Sequence, residues 1–208
     1  MPTVSAHVAH TLARHIDTVF GVMGNGNAYF LDALGRETTA GFVAVRHEAA
    51  GVVAADAHYR ASGRLAAATA TYGAGFTNTL TALAEAVQAR TPLVLIVGDE
   101  PTSGPRPWGV DQIALAAAVG ARTYTVGHRD AAATIVIAIE HALTYRLPVV
   151  LGIPYDVATR EAGEIPDATA PGAEPQVTPE HPPLDAYADG VIDQIVDALA
   201  TAARPVLL

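Results

Sequence analysis

The chain has 208 residues, half of them hydrophobic and only 16% charged, which is enough apolar material for one sizeable core with a short piece beyond it. A net charge of −9 argues against a nucleic-acid or anionic-membrane surface, since both need clustered positive charge. No cysteine or lysine is present, so disulfides, thiolate metal sites, thiol nucleophiles and Schiff-base lysines are excluded.

The opening segment, MPTVSAHVAHTLARHID, lacks the charged-then-apolar layout of a signal peptide. No apolar stretch is long enough to span a bilayer, so a soluble cytoplasmic protein is expected. Helical periodicity covers 4–15; His7, His10 and His15 share that helix without a neighbouring carboxylate and are expected on a solvated face. TVFGV (18–22) reads as a strand and runs into the glycine-rich turn of GVMGNGNAYFLDAL and a helix over 27–35. Such a turn can cradle a phosphate. The third glycine of the dinucleotide fingerprint is missing, however, and a plain tight turn is the simpler reading.

GFVAV (41–45) is the second strand, and Arg46-His47-Glu48 follows it at the start of an alanine-rich helix over 47–61. Glu48 is either a helix-start carboxylate favoured by the helix dipole or a carboxylate at a strand's end, placed to exchange a proton with a ligand nitrogen. LAAATAT (65–71) is the third strand, followed by YGAGFTN and a helix over 77–90. Gly73 and Gly75 would let the backbone approach a flat ligand, and Thr77 or Asn78 would cap the helix. LVLIVG (93–98) leads into a long Pro/Gly loop that closes at Asp111-Gln112, a length that marks functional loops. A helix over 112–119, a strand RTYTV (122–126), a helix over 130–145 capped by Asp130 and a strand PVVLGI (148–153) complete the pattern.

These strands are continuous in hydrophobicity, not alternating, as in a parallel sheet buried on both faces. The expected fold is α/β: a three-layer sandwich with a mainly parallel six-stranded sheet and helices on both faces. Ligands in such sheets bind outside the carboxyl ends of the strands, where the four unusual loops fall. After Asp156 the composition shifts. The expected organisation is a domain over 1–156, a Pro-rich linker over 157–186, and an amphipathic helix with the opening of a strand over 187–208.

In that order, VFGVMGNGNAYFLDAL, VRHEAAGVVAADAHYRASG and ATYGAGFTNTLTALAEAVQARTPLVLIVGD resemble the N-terminal pyrimidine-binding domain of thiamine-diphosphate enzymes. The resemblance is to the acetolactate synthase, benzoylformate decarboxylase and pyruvate oxidase type and covers about residues 4–156. Residues 187–208 resemble the truncated start of that family's middle domain. The resemblance implies that Glu48 is catalytic: it hydrogen-bonds the cofactor's pyrimidine ring, whose nitrogen then activates the thiazolium carbon. It implies that Met23, Gly24 and Asn25 line the pyrimidine pocket, that Gly73, Gly75 and Asn78 lie beside it, and that Thr71 and Gln112 face the substrate side.

It implies no metal ligand in this chain. Magnesium and diphosphate are held by a separate domain with a Gly-Asp-Gly start, a motif absent from these 208 residues. That domain belongs to a partner subunit of a homodimer or homotetramer, and FAD, where used, sits on a further domain. The chain departs from the family at Met23, where proline is usual, at Asp111, where the acetolactate branch has phenylalanine, and at Thr71, where some decarboxylases have histidine. It also lacks the adjacent histidine pair of some decarboxylases at 99–112. The expected function is the N-terminal portion of a carboligase or decarboxylase of 2-keto acids, closest to acetolactate synthase and inactive alone. The alternatives are a natural subunit of a two-chain decarboxylase and a non-catalytic binding or assembly module of the same fold.

Overall fold

The computed structural model describes residues 1–104, 109–165 and 186–202. It divides into two compact units, Met1–Val177 and Thr178–Leu208. In the first unit the elements are α1 (Val4–Ala13), β1 (Thr18–Gly21), α2 (Ala28–Glu37), β2 (Gly41–Ala44), α3 (Glu48–Ser62), β3 (Ala67–Ala70), α4 (Ala74–Thr77), α5 (Leu80–Gln88), β4 (Val94–Asp99), α6 (Gln112–Ala118), β5 (Arg122–Thr125), α7 (Ala131–Tyr145) and β6 (Val149–Pro154). The second unit contains α8 (Ala186–Thr201). Among the described residues no helix is long and apolar enough to cross a membrane.

The sheet has six strands in the order β2-β1-β3-β4-β6-β5, and every pairing is parallel. The continuous apolar runs are explained by two cores, one on each face. Val94, Ile96, Val149 and Leu151 pack with α1, α2 and α7, beside Leu12, Leu34 and Ile139. Their neighbours Leu95, Val97 and Val150 pack on the other face with α3, α5 and α6, beside Val52, Leu83 and Ala116. Alternate residues of one strand therefore serve opposite layers, and both sets must be apolar. Fully burying a Leu or Ile at such a position contributes roughly 1.5–3 kcal/mol.

Four local expectations are corrected. The helix expected over 77–90 is two helices, because Thr79 returns its hydroxyl to the Phe76 carbonyl at 2.6 Å and Asn78 sits in the break. Neither Thr77 nor Asn78 caps α5, whose N-cap position is Thr79 without a side-chain cap bond. Asp130 occupies the N-cap position of α7 but makes no cap bond, as its carboxylate leans back over Gly127. His7 is not solvated: it is buried, with Nε2 3.1 Å from the Gly163 carbonyl, and His10 meets Glu37 of α2 at 3.1 Å.

Beyond Asp156 the chain packs against α1. Val157 and Ala158 are buried, the Val4 N–H donates to the Arg160 carbonyl at 2.9 Å, and the Ala162 N–H donates to the Pro2 carbonyl at 2.9 Å. Residues 166–185 of the expected linker, and the strand expected at the end of the chain, lie outside the described residues.

Candidate functional site

β1 is flanked by β2 on one side and β3 on the other, so the strand order reverses between β1 and β3. Connections leave these strands in opposite directions, and a crevice opens at their carboxyl ends. The loops at 22–27, 45–47 and 71–73 border it.

The first loop is held by Asn27, which is fully buried. Its Oδ1 accepts from the Gly24 N–H at 2.8 Å, and its Nδ2 donates to the Val22 carbonyl at 3.0 Å and to Thr69 Oγ1 at 2.9 Å. Thr71 Oγ1 accepts from the Gly26 N–H at 2.9 Å, and Asn25 Nδ2 donates to the Tyr72 hydroxyl at 2.8 Å. The Asn27 N–H goes to the Gly24 carbonyl at 3.3 Å. In the second loop the Gly73 N–H donates to Gln112 Oε1 at 3.1 Å, while Gln112 Nε2 donates to the Gly98 carbonyl at 3.1 Å and to Asp99 Oδ1 at 3.2 Å.

This census decides between two readings of the glycine turns. A phosphate cradle aims free backbone N–H groups at an anion. Here the N–H groups of Gly24, Gly26, Asn27 and Gly73 are all engaged inside the protein. These four N–H groups serve the tight turns and not an anion, and Gly24 and Gly26 pack closely against Thr71, Tyr72 and Gly98.

Glu48 is the first residue of α3 and is partly buried. Its Oε2 accepts from Asn78 Nδ2 at 3.0 Å. Its Oε1 lies over Gly75, 3.6 Å from where a Cβ would stand; that Cβ would also come within 2.6 Å of the Thr71 methyl. A side chain at position 75 would fill the space beside the carboxylate. His47 caps the helix, with Nδ1 accepting from the Ala49 N–H at 3.2 Å. Glu48 is thus a helix-start carboxylate, favoured by the dipole, and also a carboxylate facing the crevice.

The structure brings Glu48, Asn78, Gly75, Thr71 and Gly24 together, and ties Asn25 to them through Tyr72. Met23 is 63% exposed and lines a groove of about 590 Å³ with Tyr29, Leu31 and Phe42, towards β2. Thr71 and Gln112 both have their polar groups bonded to protein. Gln112 is buried, and with Asp99, Thr102, Asp111, Thr125 and Pro154 it lines a cavity of about 610 Å³ at the ends of β4, β5 and β6. Sequence reading passed over Asn27 and Tyr72. The available signal was Asn at the foot of a strand-to-helix turn, where its side chain mimics a backbone turn.

The donor set suits a ligand with a ring nitrogen: one carboxylate oxygen is held by an amide and the other lies beside a glycine and a threonine methyl. Among the described residues no group of three or more His, Cys, Asp or Glu side chains is placed to hold a metal ion.

Comparison with known proteins identifies the family. Residues 2–117 match the family described as thiamine pyrophosphate enzyme, N-terminal TPP binding domain. The chain is 33% identical over 219 residues to the acetolactate synthase large subunit of Parasynechococcus marenigrum (strain WH8102), covering 98% of this chain and 34% of that protein. It is 30% identical over 206 residues to acetolactate synthase of Arthrospira platensis, covering 95% of this chain and 35% of that protein. Over 92 residues it is 40% identical to 2-hydroxyacyl-CoA lyase 2 of Xenopus laevis, covering 44% of this chain and 14% of that protein. The chain thus spans about a third of the length of the two acetolactate synthases it matches.

Proposed function

Since this chain belongs to the thiamine pyrophosphate enzymes, as their N-terminal TPP-binding domain, we propose that it supplies the pyrimidine half of the cofactor site in a cytoplasmic carboligase or decarboxylase of 2-keto acids. Acetolactate synthase is the parallel we draw. The observation that carries this reading is Glu48 beside Gly75, with one carboxylate oxygen held by Asn78 and the other over a bare Cα. When bound, thiamine diphosphate supplies the electron sink for chemistry at a keto carbon. This chain's residues do the rest of the local work. Gly24, Gly75 and the Thr71 methyl seat the ring, Met23, Asn25, Gly73 and Asn78 border it, and Glu48 holds or moves a proton at the ring nitrogen. Thr71 and Gln112 shape the substrate side from behind the turns.

Magnesium and the diphosphate would be held by another domain, from a partner subunit. The outer face of the α3 and α6 layer supports self-association, because it exposes Ala50, Val53 and Ala57 together with Ile113, Ala114 and Ala117 and carries few charges. Small side chains permit close approach of a second copy.

The test is Glu48→Gln in the complete polypeptide that carries this domain, assayed for acetolactate formation and carbon dioxide release from pyruvate with thiamine diphosphate and magnesium. The expected loss is at least about a hundredfold in kcat. A fully active variant would remove Glu48 from the chemistry and this reading with it.

A further inference from the structure

We propose that Asn78 is a positioning residue for Glu48, fixing which of its two carboxylate oxygens exchanges a proton with a ligand ring nitrogen. The proposal rests on the pyrimidine-site reading above. Asn78 occupies the break between α4 and α5; its backbone N–H donates to the Ala74 carbonyl at 3.0 Å. Asn78 and Thr79 both keep right-handed helical backbone, and from this place between the two helices the Asn78 side chain reaches the start of α3. There Nδ2 donates to Glu48 Oε2 at 3.0 Å.

An amide N–H is a donor only, so the oxygen it meets must be an acceptor. The bond makes Oε2 the favoured acceptor oxygen while Asn78 holds it, and the proton is better carried on Oε1. Among the described residues no donor is placed on Oε1, which lies beside the bare Cα of Gly75. The two oxygens thus have separate duties. Oε1 carries the proton when the carboxyl is neutral and accepts from the ring when it is ionised; the proton moves between Oε1 and the ring nitrogen and nothing else changes. Asn78 acts through Glu48 and need not touch the ligand. Without Asn78 the carboxylate could rotate and present either oxygen, so fewer of its states would be productive.

The comparison of Asn78→Ala with Asn78→Asp tests this. Asp keeps the shape of Asn but replaces the donor by a second carboxylate, so a role of shape makes Asp the milder change and a role of donation makes it the worse one. The first readout needs no cofactor. In the apo-protein at pH 8, Asn78→Asp should lower the melting temperature, and that drop should vanish in a Glu48→Ala background. An equal drop in both backgrounds overturns the proposal.

The second readout uses the complete polypeptide with thiamine diphosphate and magnesium. Deuterium exchange at the thiazolium carbon should slow about tenfold in Asn78→Ala and further in Asn78→Asp. Exchange is read at saturating thiamine diphosphate, so that a change in Kd is separated from a change in rate. A weakened Kd with unchanged exchange would make Asn78 a ligand contact and overturn the proposal, as would exchange slower in Ala than in Asp. Glu48→Gln runs alongside. If it leaves exchange unchanged, the pyrimidine-site reading falls; if it slows exchange while both Asn78 variants match the parent, only the positioning role falls.

Discussion

Asn27 holds the first crevice loop with three side-chain bonds and has no exposed surface. Asn27→Leu would leave the Gly24 N–H, the Val22 carbonyl and the Thr69 hydroxyl without that partner in a buried place. We expect a loss of about 1–3 kcal/mol, read as a lower urea midpoint at unchanged slope. Thr71 divides its side chain in a similar way: the hydroxyl accepts from Gly26 and the methyl lies against Gly75. Thr71→Val keeps the methyl and loses the acceptor. The expected result is thiamine diphosphate affinity reduced more than melting temperature, checked by calorimetric titration of the complete polypeptide.

Elements are brought together at this site by close backbone approach. A Cβ on Gly98, in β4, would stand 2.5 Å from the Cα of Gly26 and 2.7 Å from its carbonyl carbon. Both contacts are backbone, so no side chain can swing aside. Gly98→Ala must therefore push the first loop away from β4, and we expect destabilisation of about 1–3 kcal/mol with loss of cofactor binding. Gly35, on the exposed side of α2, is the control. Its Cβ would meet nothing within 4 Å, so Gly35→Ala should stabilise the chain by about 0.5–1 kcal/mol. Parallel urea melts of the two variants check both signs.

Charge and association belong to the whole molecule. Burial, and then the neighbouring Arg14, hold the His15 imidazole below its ordinary value; burial, and then Arg122, do the same for His141. A histidine depressed in the folded state contributes its stability above the unfolded value of 6.5. That stability is lost as pH falls towards the folded value, because the unfolded chain takes up the proton first. Melting temperature should therefore begin to fall below about pH 6.5, and His15→Leu should flatten part of that slope. Asp156 acts at lower pH: hydrogen bonds from Thr102 hold it below 3.8, so its contribution is present above 3.8 and lost as pH falls through the depressed value. For association, Val53→Arg on the small-residue face of α3 should shift the complete polypeptide to a smaller species in size-exclusion chromatography.

The sequence by itself determined the place of the six strands and the two-sided burial of β3, β4 and β6, whereas the edge strands β2 and β5 are largely exposed. Two-sided burial demands continuous apolar runs, so LVLIVG and PVVLGI announced central parallel strands before any pairing was known. It also marked Glu48, since a carboxylate between an apolar strand and an alanine-rich helix is conspicuous, and Gly75 through the turn that follows β3. Tertiary structure alone decided what those groups do to one another. The break at Asn78-Thr79 has no Pro or Gly to announce it, and the Glu48–Asn78 bond joins positions thirty apart in the chain. The engagement of Gly24, Gly26 and Gly73 comes from Asn27, Thr71 and Gln112. The physical reason is one of range. Periodicity reports the burial that each residue needs, which is local, whereas the partner of a donor or acceptor is set by which strands lie side by side.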